Sequence, residues 1–301
     1  MNRLEVFMQE TAADVEKRLD YFLPYADMRP EILHQAMRHS ILGGGKRLRP
    51  CLVLAAFEAA GGPEPDRPRT LDAACAIELL HCYSLIHDDL PSMDNDSLRR
   101  NRLSCHKAFG EAVAILAGDA LQALAFRVMA MASGPLAGPA VAELAAAAGS
   151  TGMVGGQALD IEAAGTGQTL ETIEWIDRWK TGSILACCCR TGAIFAGAGD
   201  EITAALTAYG ETIGVLYQIS DDILDLTADV KKLGKTPGKD AVAGKLTYPA
   251  ARGIEKAREM VAEKCSLAKS VLQRFGKEAL YLRLLADFLR DRANPDFRSR
   301  P

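Results

Sequence analysis

Apolar residues recur every three to four positions along most of this chain, and two-residue alternation persists nowhere. The pattern predicts an all-α protein. Residues 4–22 read as an amphipathic helix with a charged outer face, and Pro24 and Pro30 bracket a turn. A second helix is expected over 31–42, ended by Gly43, Gly44 and Gly45. The apolar run 51–60 follows, then a proline-rich surface loop over 61–69. Residues 70–90 read as one long helix, buried on most sides and broken by Pro91, which disfavours helix at Leu90. Further helices are expected over 107–131, within 138–149 and 151–163, and over 170–198, 201–226, 248–273 and 277–291. A loop over 226–246 and a flexible tail over 293–301 complete a single domain spanning 1–301.

Two places interrupt this greasy pattern with acids. The first long helix runs into Asp88, Asp89, Asp94 and Asp96, followed at once by Arg99 and Arg100. The second, over 201–226, ends in Gln218, Asp221, Asp222 and Asp225. Asp221 and Asp225 lie one turn apart and share a face, with Gln218 one turn earlier. Asp88 and Asp94 are six residues apart, so a regular helix would point them in different directions; the break at Pro91 lets them converge. Clustered carboxylates repel one another unless cations or a metal offset them. Oxygen-only ligands favour Mg²⁺, which keeps several waters and binds substrate phosphates as well. Two such clusters about 130 residues apart, each followed by basic residues, suggest one polyphosphate held between metal ions and Lys or Arg.

Charge and composition narrow the classes. The 301 residues carry a net charge of −4, so the chain as a whole has no pull toward nucleic acid or an anionic membrane. Any anion must be met by local clusters. One is Lys46, Arg47 and Arg49 beside the glycine triplet; a solvated basic loop is the other reading. His81, one turn from Glu78, is a core histidine or a ligand group, and the nearby acids and arginines favour the second. Eight cysteines without a Cys-x-x-Cys spacing predict reduced, core-filling thiols in a cytoplasmic protein. No membrane span is expected. A P-loop pattern is absent, as are paired Glu-x-x-His motifs, so neither a P-loop nucleotidase nor a di-iron bundle is supported.

Taken in order, several segments resemble the trans-prenyltransferase (polyprenyl synthetase) family, most of all bacterial short-chain farnesyl diphosphate synthases. They are 43–50 (GGGKRLRP), 88–94 (DDLPSMD) with 98–100 (LRR), 155–160 (GGQALD), Lys180 with Thr181, 218–225 (QISDDILD), and 234–236 (GKT) with 245–249 (KLTYP). The resemblance implies an isoprenoid-synthase-type helical bundle around a deep central cavity, working as a homodimer. It implies head-to-tail condensation of isopentenyl diphosphate with dimethylallyl or geranyl diphosphate. By the same resemblance Asp88, Asp89, Asp94, Asp221, Asp222 and Asp225 hold three Mg²⁺ ions. Lys46, Arg49, His81 and Arg100 bind isopentenyl diphosphate, while Arg99, Lys180, Lys235 and Lys245 reach the allylic diphosphate. Thr181 and Gln218 steady the allylic cation. Ser97 and Asn101 depart from the family pattern, where Asp and Gly are frequent, and Arg292 matches a C-terminal arginine.

Product length is expected to follow the wall below Asp88. Tyr83 would floor the cavity, with Leu80 and Ser84 as smaller neighbours, giving farnesyl diphosphate; Tyr83→Ala would then lengthen the product. Geranylgeranyl and geranyl diphosphate synthases are the alternatives, ahead of a silent subunit of a heteromeric synthase or a terpene cyclase.

Overall fold

The computed structural model describes residues 2–163, 169–227 and 246–293. Lys235, Lys245, most of the basic loop and the tail beyond residue 293 lie outside the described residues. Within them the chain is all-α apart from one two-stranded hairpin. It groups into two compact units: residues 1–54 with 64–141, and residues 55–63 with 142–301.

In the first unit, α1 (Arg3–Phe22) starts at a capping box between Asn2 and Glu5 and buries Leu4, Phe7, Thr11, Val15 and Leu19, the stripe that a 3.6-residue period dictates. α2 (Glu31–Ile41) ends just before the glycine triplet, and α3 (Leu48–Ala59) begins with the basic segment. α4 (Arg67–Asp88) is the unit's axis. It starts earlier than expected because Pro68 falls in its first turn, where a missing N–H costs nothing. From Ala73 to Leu80 every residue is buried.

The strands β1 (Leu98–Arg99) and β2 (Arg102–Leu103) pair antiparallel through a two-residue turn. Arg100 and Asn101 both have positive φ there, 54° and 61°. That turn geometry favours Gly or Asn, which accounts for Asn101 where the family pattern has Gly. Strands this short leave no alternation to read. α5 (Cys105–Phe109) is cut from α6 (Glu111–Ser133) at Gly110, so the helix expected from residue 107 is two pieces. α6 lies along α4, burying Ala117, Leu121, Ala125 and Val128.

In the second unit, α7 (Ala137–Ala148), which begins in the first, leads to α8 (Met153–Ala163), α9 (Leu170–Asp177), a π-helical turn (Arg178–Gly182) and α10 (Ser183–Phe195). One continuous helix was expected over 170–198; the turn widens it at Lys180 and Thr181. α11 (Asp200–Thr227) is the axis of this unit, packed by α10, α12 (Tyr248–Arg252), α13 (Ile254–Val271) and α14 (Leu280–Arg292). The Tyr209 hydroxyl donates to the Leu282 carbonyl at 2.6 Å and Ser220 to that of Leu289 at 2.9 Å, tying α14 down.

All eight cysteines are buried free thiols. One stretch, within 111–163, is long and apolar enough by composition to cross a membrane. Turns at 134–136 and 149–152 divide it into α6, α7 and α8.

Candidate active site

The first acidic cluster is built by the end of α4. The helix stops at Asp88, and the chain folds back so that the Asp94 N–H donates to the Asp88 carbonyl at 2.8 Å. That bond brings together two residues six apart, as the break at Pro91 predicts. Asp89 turns elsewhere. It is 2% exposed, and Arg99 grips it: Nε donates to both carboxylate oxygens at 3.1 and 3.2 Å, and Nη2 donates to one of them. The same Arg99 reaches Asp96 at 3.3 Å. Burial pushes the Asp89 acid up and Arg99 pulls it back. Two residues expected to face metal and diphosphate are therefore paired with each other.

Beside this cluster, on α4 and the hairpin, cations gather. His81 is half-buried, and its proton affinity is held well below the ordinary 6.5 by burial and then by Arg49, Arg100, Arg99 and Arg47. A neutral imidazole is the result. Arg49 Nε and Arg100 Nη1 are buried donors with no protein acceptor. Buried donors left unmatched by the chain are costly, so their presence here fits an anion bridging them. Lys46 is exposed at the lip of the glycine turn. Gly45, at φ 136°, lies against Arg100; a Cβ there would sit 3.1 Å from the guanidinium carbon. A small cleft lined by Ser40, Gly43, Cys82, Asp89, Arg99 and Arg100 opens at this point.

Below Asp88, α4 presents its wall residues at different angles. Residue 83 is five positions back, about 140° around the helix, whereas residue 84 is about 40° away. Tyr83 is 5% exposed, with its ring edge-on to His87 at 5.7 Å and its hydroxyl buried without a hydrogen-bond partner. His87 in turn lies over Gly118 of α6. Ser84, folded onto the His81 carbonyl at 2.9 Å, is the small residue nearest the Asp88 face, and Leu80 is fully buried.

The second cluster lies in the other unit. Asp221 accepts from Arg292 Nη2 at 2.7 Å, and that guanidinium sits 4.9 Å over the Tyr217 ring. Asp222 accepts from Gln218 Nε2 at 3.1 Å and from the backbone N–H of Tyr248 at 3.1 Å, while Asp225 is 9% exposed. The Thr181 hydroxyl donates to Gln218 Oε1 at 3.4 Å, joining the two residues expected to steady a cation. Lys180 Nζ donates to Asp160 Oδ2 at 2.8 Å. Gly156 makes this pairing reachable: a Cβ there would lie 2.1 Å from the Lys180 backbone nitrogen, so only glycine lets α8 approach so closely.

Three residues escaped sequence reasoning. The Glu78 carboxylate was seen only as a neighbour of His81. Asp177 is 6% exposed, with its acid held well above the carboxylate range by burial and then by Asp222. No spacing signals it, because its neighbours come from α11 and α12. Asp160 stands in the sequence only as the end of the 155–160 segment, with no partner assigned.

Among the described residues, no three His, Cys, Asp or Glu side chains form a ready metal cage. Mg²⁺ does not require one, because substrate phosphates and waters complete its shell. The oxygen-only carboxylates at 88, 94, 221 and 225 have the right donor chemistry.

Comparisons with known proteins agree with this chemistry. The polyprenyl synthetase family model matches residues 30–283. A chloroplastic geranylgeranyl pyrophosphate synthase of Capsicum annuum is 43% identical over 96% of this chain and 79% of its own length. The large subunit 1 of a heterodimeric geranylgeranyl pyrophosphate synthase of Arabidopsis thaliana is 44% identical over 93% of this chain and 77% of its own length. Among solved structures, an FPP/GFPP synthase from Zymomonas mobilis superposes with a TM-score of 0.85 at 38% identity, covering 95% of this chain and 98% of that one. A Helicobacter pylori geranyltransferase, solved with magnesium and isoprenyl diphosphate, gives 0.85 at 29% identity over 96% and 98%. The geranylgeranyl names correct the farnesyl expectation. That expectation rested on Tyr83 as a floor. By the family match over most of its length and by these relatives, the chain belongs to the polyprenyl synthetase family of trans-prenyltransferases.

Proposed function

We propose that this protein is a geranylgeranyl diphosphate synthase, adding isopentenyl diphosphate head-to-tail to allylic diphosphates as far as the C20 product. The observation that carries this reading is the 43–45% identity to proteins named geranylgeranyl pyrophosphate synthases, over 86–96% of the chain. The arginine cluster with its unmatched donors supports the diphosphate part of it.

Arg49, Arg100, Lys46 and neutral His81 hold isopentenyl diphosphate in the first unit. Asp88, Asp94, Asp221 and Asp225 present oxygens for magnesium, three ions by family likeness. Bound magnesium supplies positive charge to the departing diphosphate. Asp89 holds Arg99, and Asp222 holds Gln218 and the Tyr248 backbone, so both carboxylates act by fixing other groups. Lys180, with Lys235 and Lys245, meets the allylic diphosphate, and Lys180 exchanges Asp160 for it. The allylic C–O bond breaks with its electron pair leaving on the diphosphate. Thr181 and Gln218 turn oxygen dipoles toward the cation that remains. The double bond of isopentenyl diphosphate supplies the pair for the new C–C bond, and a proton leaves with the diphosphate as its acceptor. The homodimer is proposed by family likeness.

The test is incubation of purified protein with isopentenyl and dimethylallyl diphosphates and Mg²⁺, with chain length read by chromatography. A C20 product is expected. No turnover, or a series ending at another length, overturns the reading.

A further inference from the structure

Arg47 has no place in the chemistry above, yet it is the most enclosed cation of the first unit. Its side chain is 0% exposed and its backbone sits at φ 46°, a conformation rare for arginine. The guanidinium is fully engaged. Nε and Nη2 donate to Glu16 at 2.9 and 2.5 Å, Nη2 also to the Ile41 carbonyl at 2.6 Å, and Nη1 to Glu78 at 2.7 Å. Glu78 is itself 2% exposed. The oxygen that receives Arg47 also faces Arg100 Nη2 at 3.9 Å. Glu78 lies one turn before His81 on α4, and Arg47 lies between Lys46 and Arg49 on the chain.

One buried carboxylate thus joins the glycine turn, through Arg47, to the hairpin, through Arg100. Each side alone is a poor platform. The turn has positive φ at Gly44, Gly45 and Arg47, and the hairpin has it at Arg100 and Asn101. The hairpin's strand pairing fixes its own shape but not its distance from the turn, and both segments present cations to the same anion.

We propose that Glu78, clamped by Arg47, is the positioning residue of the isopentenyl diphosphate subsite: it fixes Arg100 and the Lys46–Arg49 segment at the spacing of a diphosphate. This rests on the reading of the cluster as that subsite. A carboxylate buried in an anion site opposes the anion's charge. If charge alone mattered, removing it would tighten diphosphate binding. Positioning predicts the opposite sign, because the turn and the hairpin must then be held at the right spacing by the ligand itself.

The test is Glu78→Gln, which keeps shape and removes charge, with KM measured separately for isopentenyl diphosphate and for farnesyl diphosphate as allylic partner. We expect the isopentenyl KM to rise about tenfold while the allylic KM moves less than about twofold. Asp72→Asn is the structural control: it breaks the Arg18–Asp72 pair, two bonds of 2.6 Å that also join α1 to α4, away from the arginine cluster. It should lower thermal stability without splitting the two KM values. An isopentenyl KM that falls or stays level in Glu78→Gln overturns the proposal, as does a parallel rise of both. If Glu78→Gln does not fold, Arg47→Lys takes its place, since an ammonium cannot reach Glu16, Glu78 and the Ile41 carbonyl together, and the same split is expected. A wild-type protein without turnover sinks the parent reading instead. The clamp is then read by calorimetry with inorganic diphosphate in the absence of magnesium, where Glu78→Gln must still weaken binding.

Discussion

At the scale of single residues, His81 ties electrostatics to stability. Its pKa is held below the ordinary 6.5 in the folded chain, so folding disfavours the protonated form. The stability it contributes is complete above the unfolded pKa and is lost as pH falls from about 6.5 toward the folded value. Thermal unfolding compared at about pH 7.5 and pH 5.5 should therefore show a smaller drop in Tm for His81→Gln than for the wild type. An equal drop would show that His81 is not the group responsible. Ser84 carries a second residue-scale prediction. It is the small side chain nearest the Asp88 face, so Ser84→Phe should shorten the product below C20, read by chromatography of the same assay. An unchanged C20 product would remove Ser84 from the wall. The identities of Asp88, Asp94, Arg49, Arg100 and His81 were legible in the sequence because each falls in a short motif of charged residues. The pairing of Asp89 with Arg99, and of Asp221 with Arg292, was not. Such partners are fixed by side-chain direction after the chain has folded, and a one-dimensional pattern does not record it.

At the scale of elements, close approach of backbones decides what the second unit can present. α8 reaches Lys180 only because residue 156 lacks a side chain, and Asp160 then lies one turn further on to receive the ammonium. Gly156→Ala drives a methyl into backbone rather than into a movable side chain, so it should cost about 1–3 kcal/mol or more. It should also lower kcat by displacing Lys180. Gly138→Ala is the comparison, since nothing lies within 4 Å of its Cβ position, and it should be neutral or slightly stabilising. Calorimetric Tm and kcat of the two variants check this, and equal behaviour would refute the packing account. The helices themselves were legible from their apolar period and from Pro and Gly punctuation. Three features were not. The hairpin is too short to alternate, Gly110 splits a helix whose apolar pattern is continuous, and the π-helical turn at 178–182 widens the helix ahead of Gly182 without ending it.

At the scale of the whole molecule, an acidic chain handles acidic substrates by concentrating its cations. The net charge of −4 says nothing of the four arginines that surround His81. Local arrangement outweighs the global sum because a charge acts strongly only within about 10 Å at ordinary ionic strength. Product length was the property least available from sequence. It turns on which side chains of α4 face the space below Asp88, and that direction is set only once helices pack. The cysteines have a practical meaning at this same scale. All eight are buried, in both units, and burial holds the Cys187 and Cys189 thiols up at about 12. A thiol-reactive dye therefore finds no thiolate on the native surface. Its rate of incorporation becomes a clock for the opening of the molecule, built from the native sequence without any engineered label.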